Sequence, residues 1–182
     1  GKMSPRMAWR AITSVLPKDA IISSDIGNNC AIGNAYPTFE QGRKYLAPGL
    51  FGPCGYGFPA ICGAKIAQPD VPVVGFAGDG AFGISMNEMV SVGREEWPPI
   101  TMIIFRNYQW GAEKRNTTLW FDDNFVGTEL DTDVNYAGIA QQCGVKGVQV
   151  DGMDALAEAL DKAIEAQMED KVTTFIEVVL NQ

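Results

Sequence analysis

Short apolar runs and amphipathic runs take turns along this chain. Ser4-Pro5 opens a helix that carries Ala8, Trp9, Ile12, Val15 and Leu16 on one face and stops before Pro17. Proline suits a first helical turn, where its missing N–H would have no partner anyway. Residues 20–24 are a short apolar run that stops at Asp25-Ile26-Gly27, and residues 27–36 read as a helix. A Gly/Pro-rich loop over 48–57 leads into a small-residue helix over 58–67. Residues 73–77 form a buried strand that ends at Gly78-Asp79-Gly80. The next helix passes through Met86, Met89 and Val90, with the two methionines at helical spacing read as core. Residues 100–105 are the clearest buried strand, rich in β-branched side chains. A polar, aromatic segment fills 107–130. Helix, strand, helix and strand follow over 136–143, 147–150, 155–168 and 173–180.

Apolar strands that alternate with helices imply an α/β fold, doubly wound, with a mainly parallel sheet covered by helices on both faces. Ligands in such folds sit at the carboxyl ends of the strands. Three loops leave strand ends there: 25–29, 78–82 and 107–111. Strand direction places all three at one edge of the sheet. No internal repeat or domain linker is visible, so residues 1–182 read as a single domain.

Charge and composition narrow the chemistry. The net charge is −8, so general binding to nucleic acid or anionic membranes is disfavoured. Any phosphate must be met by backbone amides, a metal or a local cationic patch. The chain has no histidine, which excludes a Ser-His-Asp triad, a Cys-His pair and a His-ligated metal built from this chain alone. Cys30, Cys54, Cys62 and Cys143 form no Cys-x-x-Cys pair and read as reduced thiols, which points to a cytoplasmic setting. No apolar stretch is long enough for a membrane span. Gly1 and Lys2 precede Met3 with no signal-peptide layout, and the expectation is a piece of a longer protein.

Gly78-Asp79-Gly80 joins a strand to a helix. Glycines let backbone approach a ligand closely, the helix start favours an anion, and Asp79 offers oxygen to a hard cation. Asn107 follows the next strand, with 26 residues between it and Gly80, the length of one helix plus one strand. Asp79, Asn107 and the Gln109 carbonyl could then supply half of an octahedral Mg²⁺ shell, leaving the rest to water and phosphate. A tight turn with Asp79 as helix cap is the plainer alternative.

Gly-Asp-Gly, a spacer of this length and then Asn resembles the thiamine-diphosphate-binding motif. Nearly the whole chain resembles the C-terminal, diphosphate-binding domain of the acetolactate-synthase-like thiamine enzymes. That resemblance implies thiamine diphosphate and Mg²⁺ as cofactors, with Asp79, Asn107 and Gln109 on the metal. It places Gly27, Asn28, Asn29, Gly78, Gly80, Ala81 and Gly111 with them around the cofactor. The loop through Gly52 and Cys54 would pass under it, Cys54 standing where related synthases carry a larger Met. A narrower resemblance runs through 109–116, 25–28 and 127–130, to the sulfoacetaldehyde acetyltransferase branch of the group. It implies conversion of sulfoacetaldehyde and phosphate into acetyl phosphate and sulfite. Two anionic substrates call for local cations, so one or both of Lys114 and Arg115, clustered with Arg106 around the Asn107 loop, would help bind the sulfonate or phosphate; plain surface charge is the alternative. The glutamate that activates the cofactor comes, in the family, from an N-terminal pyrimidine-binding domain, usually of a partner subunit in a homodimer or homotetramer. That implies an isolated chain without turnover and a sticky apolar face beside Trp110 and the 52–56 loop. A related lyase or synthase acting on 2-oxo acids, such as acetolactate synthase, and a non-catalytic cofactor-binding module stay open as alternatives.

Overall fold

The computed structural model describes residues 3–42 and 44–181, so Gly1 and Lys2 lie outside the described residues. Among the described residues, six parallel strands form one sheet in the order β2-β1-β3-β4-β6-β5. They are β1 (Ile21–Ser24), β2 (Tyr45–Leu46), β3 (Val73–Gly78), β4 (Thr101–Arg106), β5 (Lys146–Val150) and β6 (Thr174–Val179). From β1 the chain crosses outward to β2 and then back to β3 on the other side, so the winding reverses between β1 and β3. A reversal of this kind opens a crevice at the strands' carboxyl ends.

Side-chain alternation divides the core in two. On β4, Ile103 and Phe105 face one side and Met102 and Ile104 the other; on β6, Ile176 and Val178 oppose Phe175. The first face packs against helices α1 (Pro5–Val15) and, after α2 (Asn28–Gly33), the later helix over Met153–Glu165. Trp9 anchors it, 1% exposed, with its ring 4.7 Å from Phe76 and 5.6 Å from Phe105. The second face packs against α3 (Gly57–Ala67), α4 (Asp79–Ser85), α5 (Met89–Val92) and the helix over Tyr136–Gln142. Phe58 and Phe82 each meet Phe175 edge to face there. Each large side chain so enclosed contributes roughly 1.5–3 kcal/mol relative to exposure.

Several elements depart from their sequence pattern. The helix expected over 27–36 is regular only through Gly33, after which Ala35 and Tyr36 donate to Ile32 and Gly33 in tighter turns. The helix through Met86 breaks into α4, a 3₁₀ turn at Met86–Glu88, and α5; Met89 is core, Met86 half-buried and Val90 exposed. The segment over 107–130 contains a helix, α6 (Gly111–Trp120), none of whose residues is buried. After it come α7 (Tyr136–Gln142) and α8 (Met153–Glu165). The chain beyond α8 widens into a π turn at Ala166–Asp170. Gln167 explains that turn: its buried amide accepts from Val73 N–H and donates to the Val73 carbonyl and Thr101 Oγ1. Strand β2, two residues long, leaves no periodicity to read.

Candidate functional site

The loops after β1, β3 and β4 meet in a cavity of about 180 Å³ at the carboxyl edge of the sheet. Gly27, Asn28 and Asn29 line it from the β1 side, and Gly78, Asp79, Gly80 and Ala81 from β3. Asn107, Gln109 and Gly111 come from β4, and Gly52 and Cys54 from the Gly/Pro-rich loop. The structure thus brings together all twelve residues that the resemblance assigned to a cofactor. Trp9, Phe105, Ile32 and Leu180 give the cavity an apolar floor.

Asp79 is the enclosed charge of this site, 2% exposed. Its Oδ2 accepts from Tyr108 N–H at 2.8 Å and its Oδ1 from Gly80 N–H at 3.1 Å. Burial pushes its carboxyl above the ordinary value, against those two amide donors, which pull it down. The turn after β4 is shaped for this contact. Tyr108 takes a left-handed φ of 62°, a conformation that costs of order 1 kcal/mol in a non-glycine residue and gathers at functional sites. The turn brings the Asn107 amide between the Asp79 carboxylate and the Gln109 carbonyl. With its nitrogen turned inward, Asn107 donates to Asp79 Oδ1 and to the Gln109 carbonyl, each at 3.1 Å. With its oxygen turned inward, the same place holds a third oxygen at those separations. Ligand oxygens about 2.1 Å from Mg²⁺ stand about 3.0 Å apart along an octahedral edge. The donor set therefore fits a hard cation. It offers a single carboxylate, and no group of three His, Cys, Asp or Glu able to hold a metal occurs among the described residues. Such a set suits a cation that arrives with phosphate oxygens.

The surroundings fit the rest of an anionic ligand. Gly27 adopts φ 116°, ψ −168°, a region open to glycine, and starts α2 beside the cavity. A Cβ on Gly80 would stand 2.9 Å from the Trp110 ring, so glycine lets the indole close over the start of α4. Both amide atoms of Asn29 are enclosed and meet no hydrogen-bond partner among the described residues. A buried amide in that condition is expensive, and a ligand oxygen would relieve it.

Asp25, a residue outside the twelve, holds the loop under the cavity. It is fully buried. Its Oδ1 accepts from Ile26 and Gly55 N–H at 2.9 and 3.0 Å, and its Oδ2 from Gly57 N–H at 2.6 Å. A Cβ at Gly57 would come within 2.8 Å of both the Asp25 nitrogen and the Phe76 oxygen, so only glycine passes there. The visible signal was its place at the end of an apolar run. Its partners, some thirty residues away, had none. Burial raises the Asp25 carboxyl above 3.8, against the pull of its amide donors at Gly57, Ile26 and Gly55. The folded chain then holds a proton there more tightly than the unfolded chain. Between 3.8 and the raised value, this group's contribution grows as pH falls and is lost as pH rises. Asp25→Asn should remove that dependence. In urea unfolding, the stability of wild type minus variant should be larger at about pH 4 than at about pH 7; a gap independent of pH would count against this origin.

The cations lie elsewhere. Arg106 points to the second face of the sheet, not the cavity. It is 1% exposed, pairs with Glu177 at 2.8 Å, and donates to the carbonyls of Asp131, Thr132 and Val134. Alternation along β4 decides this: Phe105 takes the cavity side, so Arg106 takes the other. Lys114 and Arg115 do not line the cavity. Lys114 pairs with Glu129 at 2.7 Å and lies over the Phe125 ring, and Arg115 is exposed. Cys54 stays a neutral thiol, raised by burial and then by the charges of Asp25 and Glu113.

Residues 25–178 match the family described as thiamine pyrophosphate enzyme, C-terminal TPP binding domain. The chain is 76% identical over 181 residues to a probable sulfoacetaldehyde acetyltransferase of Rhizobium meliloti, covering 100% of this chain and 30% of that protein. It is 72% identical to the sulfoacetaldehyde acetyltransferase of Roseovarius nubinhibens, covering 99% of this chain and 30% of that protein. Among solved structures, a thiamine diphosphate-dependent 4-hydroxybenzoylformate decarboxylase of Rhodococcus jostii RHA1 superposes with a TM-score of 0.85 at 25% identity. That match covers 99% of this chain and 33% of the decarboxylase chain. The chain thus spans about 30% of the length of the curated relatives it matches.

Proposed function

This chain belongs to the family of C-terminal TPP-binding domains of thiamine pyrophosphate enzymes, and from that membership we propose that it holds the diphosphate and Mg²⁺ of a sulfoacetaldehyde acetyltransferase. The reaction would convert sulfoacetaldehyde and phosphate into acetyl phosphate and sulfite. The observation that carries the site is the convergence of Asp79, Asn107 and the Gln109 carbonyl beside a glycine-lined wall. The substrate rests on the high identity to relatives bearing that name.

Thiamine diphosphate, when bound, supplies a nucleophilic carbon and takes up the electron pair released from the substrate. The chain's own residues supply position and charge. Asp79, Asn107 and Gln109 would hold Mg²⁺ against the diphosphate. The enclosed Asn29 amide and the backbone at Gly27 and Gly80 would meet phosphate oxygens. Asp25 fixes the loop through Gly55 and Gly57, on which Gly52 and Cys54 would lie beneath the ligand. Trp110 and the Trp9–Phe105 floor exclude water, which strengthens every charge interaction inside. Lys114 could reach a sulfonate or phosphate only by giving up Glu129.

Leu50 and Phe51, beside Gly52, are almost fully exposed, as is Val126 beyond α6; Leu119, Trp120 and Phe121 are largely so. The exposure of Leu50 and Phe51 next to the cavity-lining Gly52 supports the reading that a pyrimidine-binding domain, from the same enzyme or a second subunit, completes the site. The purified 182-residue chain should therefore form no acetyl phosphate. The intact enzyme with thiamine diphosphate and Mg²⁺ should release sulfite and acetyl phosphate in equal amounts from sulfoacetaldehyde and phosphate. Absence of sulfite, with turnover of a 2-oxo acid in its place, would assign the domain to a synthase or lyase.

A further inference from the structure

The turn that presents Asn107 and the Gln109 carbonyl needs a hold besides Asp79. Tyr108 sits inside it with a left-handed φ of 62°, and a non-glycine residue stays there only where its surroundings enforce it. Its amide donates to Asp79 Oδ2, and its carbonyl accepts from Leu130 N–H at 2.9 Å. Further along, Trp110 N–H donates to the Thr128 carbonyl at 2.8 Å. The metal turn is thus bonded along the segment over 128–130, and that segment must itself be fixed. Arg106 fixes it from the second face of the sheet, without lining the cavity. Its guanidinium donates to the carbonyls of Asp131 and Thr132, each at 3.1 Å, and to that of Val134. Glu177, fully buried, pairs with the same guanidinium at 2.8 Å.

Two rings flank Arg106 as well: Tyr108 at 4.7 Å and Tyr136 at 5.3 Å. Tyr108 belongs to the turn after β4. Tyr136, on α7, donates its hydroxyl to the Asp79 carbonyl at 3.3 Å. One buried cation therefore reaches both loops that carry the metal ligands, the β3 loop through Tyr136 and the β4 loop through Tyr108. We infer that Arg106 is a positioning residue: it sets the separation between Asp79 and the Asn107–Gln109 turn, and so makes the site select Mg²⁺ over larger cations. Mg²⁺ requires near-ideal octahedral geometry at about 2.1 Å, whereas Ca²⁺ accepts ligands at about 2.3–2.6 Å in flexible arrangements. Two loops clamped at one separation favour the first. Loops free to drift apart lose Mg²⁺ and keep Ca²⁺. Arginine suits the place because its planar fork donates in fixed directions while its flat faces stack on rings. A lysine ammonium is a point charge with neither property.

The inference rests on the thiamine diphosphate reading, and the test separates the two. In the intact enzyme, thiamine diphosphate is titrated by calorimetry in the presence of Mg²⁺ and, separately, of Ca²⁺. Arg106→Lys keeps the charge near the metal and removes the fork. Its Mg²⁺-supported affinity should fall roughly tenfold to a hundredfold, the usual effect of losing a group that orients metal ligands. Its Ca²⁺-supported affinity should change by less than about threefold. The double variant Arg106→Met, Glu177→Leu should regain part of the urea stability lost in Arg106→Ala, yet stay as weak for Mg²⁺ as Arg106→Lys, since apolar side chains pack but hold no carbonyl. Ile100→Ala opens a cavity just before β4, at its opposite end. It should lower stability and leave the ratio of Mg²⁺-supported to Ca²⁺-supported affinity unchanged. Mg²⁺-supported affinity within about threefold of wild type in Arg106→Lys, or equal losses with the two cations, overturns the positioning role. So does an Mg²⁺ affinity restored along with stability in the double variant, or a ratio shifted as far by Ile100→Ala. A wild-type enzyme that binds no thiamine diphosphate with either cation overturns the functional reading and the inference with it.

Discussion

Asp79→Ala is expected to abolish Mg²⁺-dependent binding of thiamine diphosphate to the intact enzyme. The carboxylate is the single negative ligand in its set, so its loss leaves a divalent cation with an amide, a carbonyl and the ligand's own phosphates. Partners that merely orient a metal ligand cost roughly 10–100-fold in affinity when removed, and loss of a ligand itself should exceed that. The substitution also strips the Tyr108 and Gly80 amides of their acceptor. The strained Tyr108 turn, which presents Asn107 and the Gln109 carbonyl, then loses the contact that holds it. Two separate effects thus act in one direction. Calorimetric titration with and without Mg²⁺ reads the result, and circular dichroism checks that the sheet persists. Affinity unchanged from wild type would sink the metal assignment. A loss restored by Asp79→Glu but not by Asp79→Asn would identify the charge, not the shape, as the essential feature.

Arg106→Ala should destabilise the chain by about 3–5 kcal/mol, the cost typical of leaving one buried ion without its partner. Glu177 is 0% exposed and would keep, among the described residues, the Ala137 amide at 3.0 Å as its donor. The carbonyls of Asp131 and Thr132, each 3.1 Å from the guanidinium, would lose theirs as well. Arg106 also lies 4.7 Å from the Tyr108 ring and 5.3 Å from the Tyr136 ring. Its removal therefore loosens the turn between α6 and α7 together with the second core. Urea unfolding measures the loss through the midpoint at constant slope. The double variant Arg106→Met, Glu177→Leu should recover only part of it, because it leaves no buried ion unpaired but still strips the Asp131 and Thr132 carbonyls and the Ala137 amide of their partners. A single variant within about 1 kcal/mol of wild type would show that the pair contributes little beyond its own burial.

What the sequence by itself determined is what repeats locally. The two-residue period of Met102, Ile103, Ile104 and Phe105 assigns each side chain to a face wherever the strand lies. The equal helix-plus-strand spacing between Gly80 and Asn107 puts both at one sheet edge as soon as the strands are parallel. Glycine at 80 was legible because closely approached backbone excludes a Cβ, which there would stand 2.9 Å from the Trp110 ring. Those signals put the loops 25–29, 78–82 and 107–111 at one edge, whereas Asn28, Asn29, Gly52 and Cys54 were legible only through the family resemblance. Tertiary structure alone decided where charges found partners. Arg106 and Glu177 are 71 positions apart, and no pattern near either marks the other. Lys114 looked free to meet an anion until residues 108–110 and 128–130 came together and brought Glu129 beside it. Asp25 looked like the end of a strand until chain closure carried the Gly55 and Gly57 amides to its carboxylate. Periodicity is written in neighbouring residues because backbone geometry repeats every two or 3.6 positions. The pairing of a buried charge is set by which distant segments pack together, and only the closed fold fixes that.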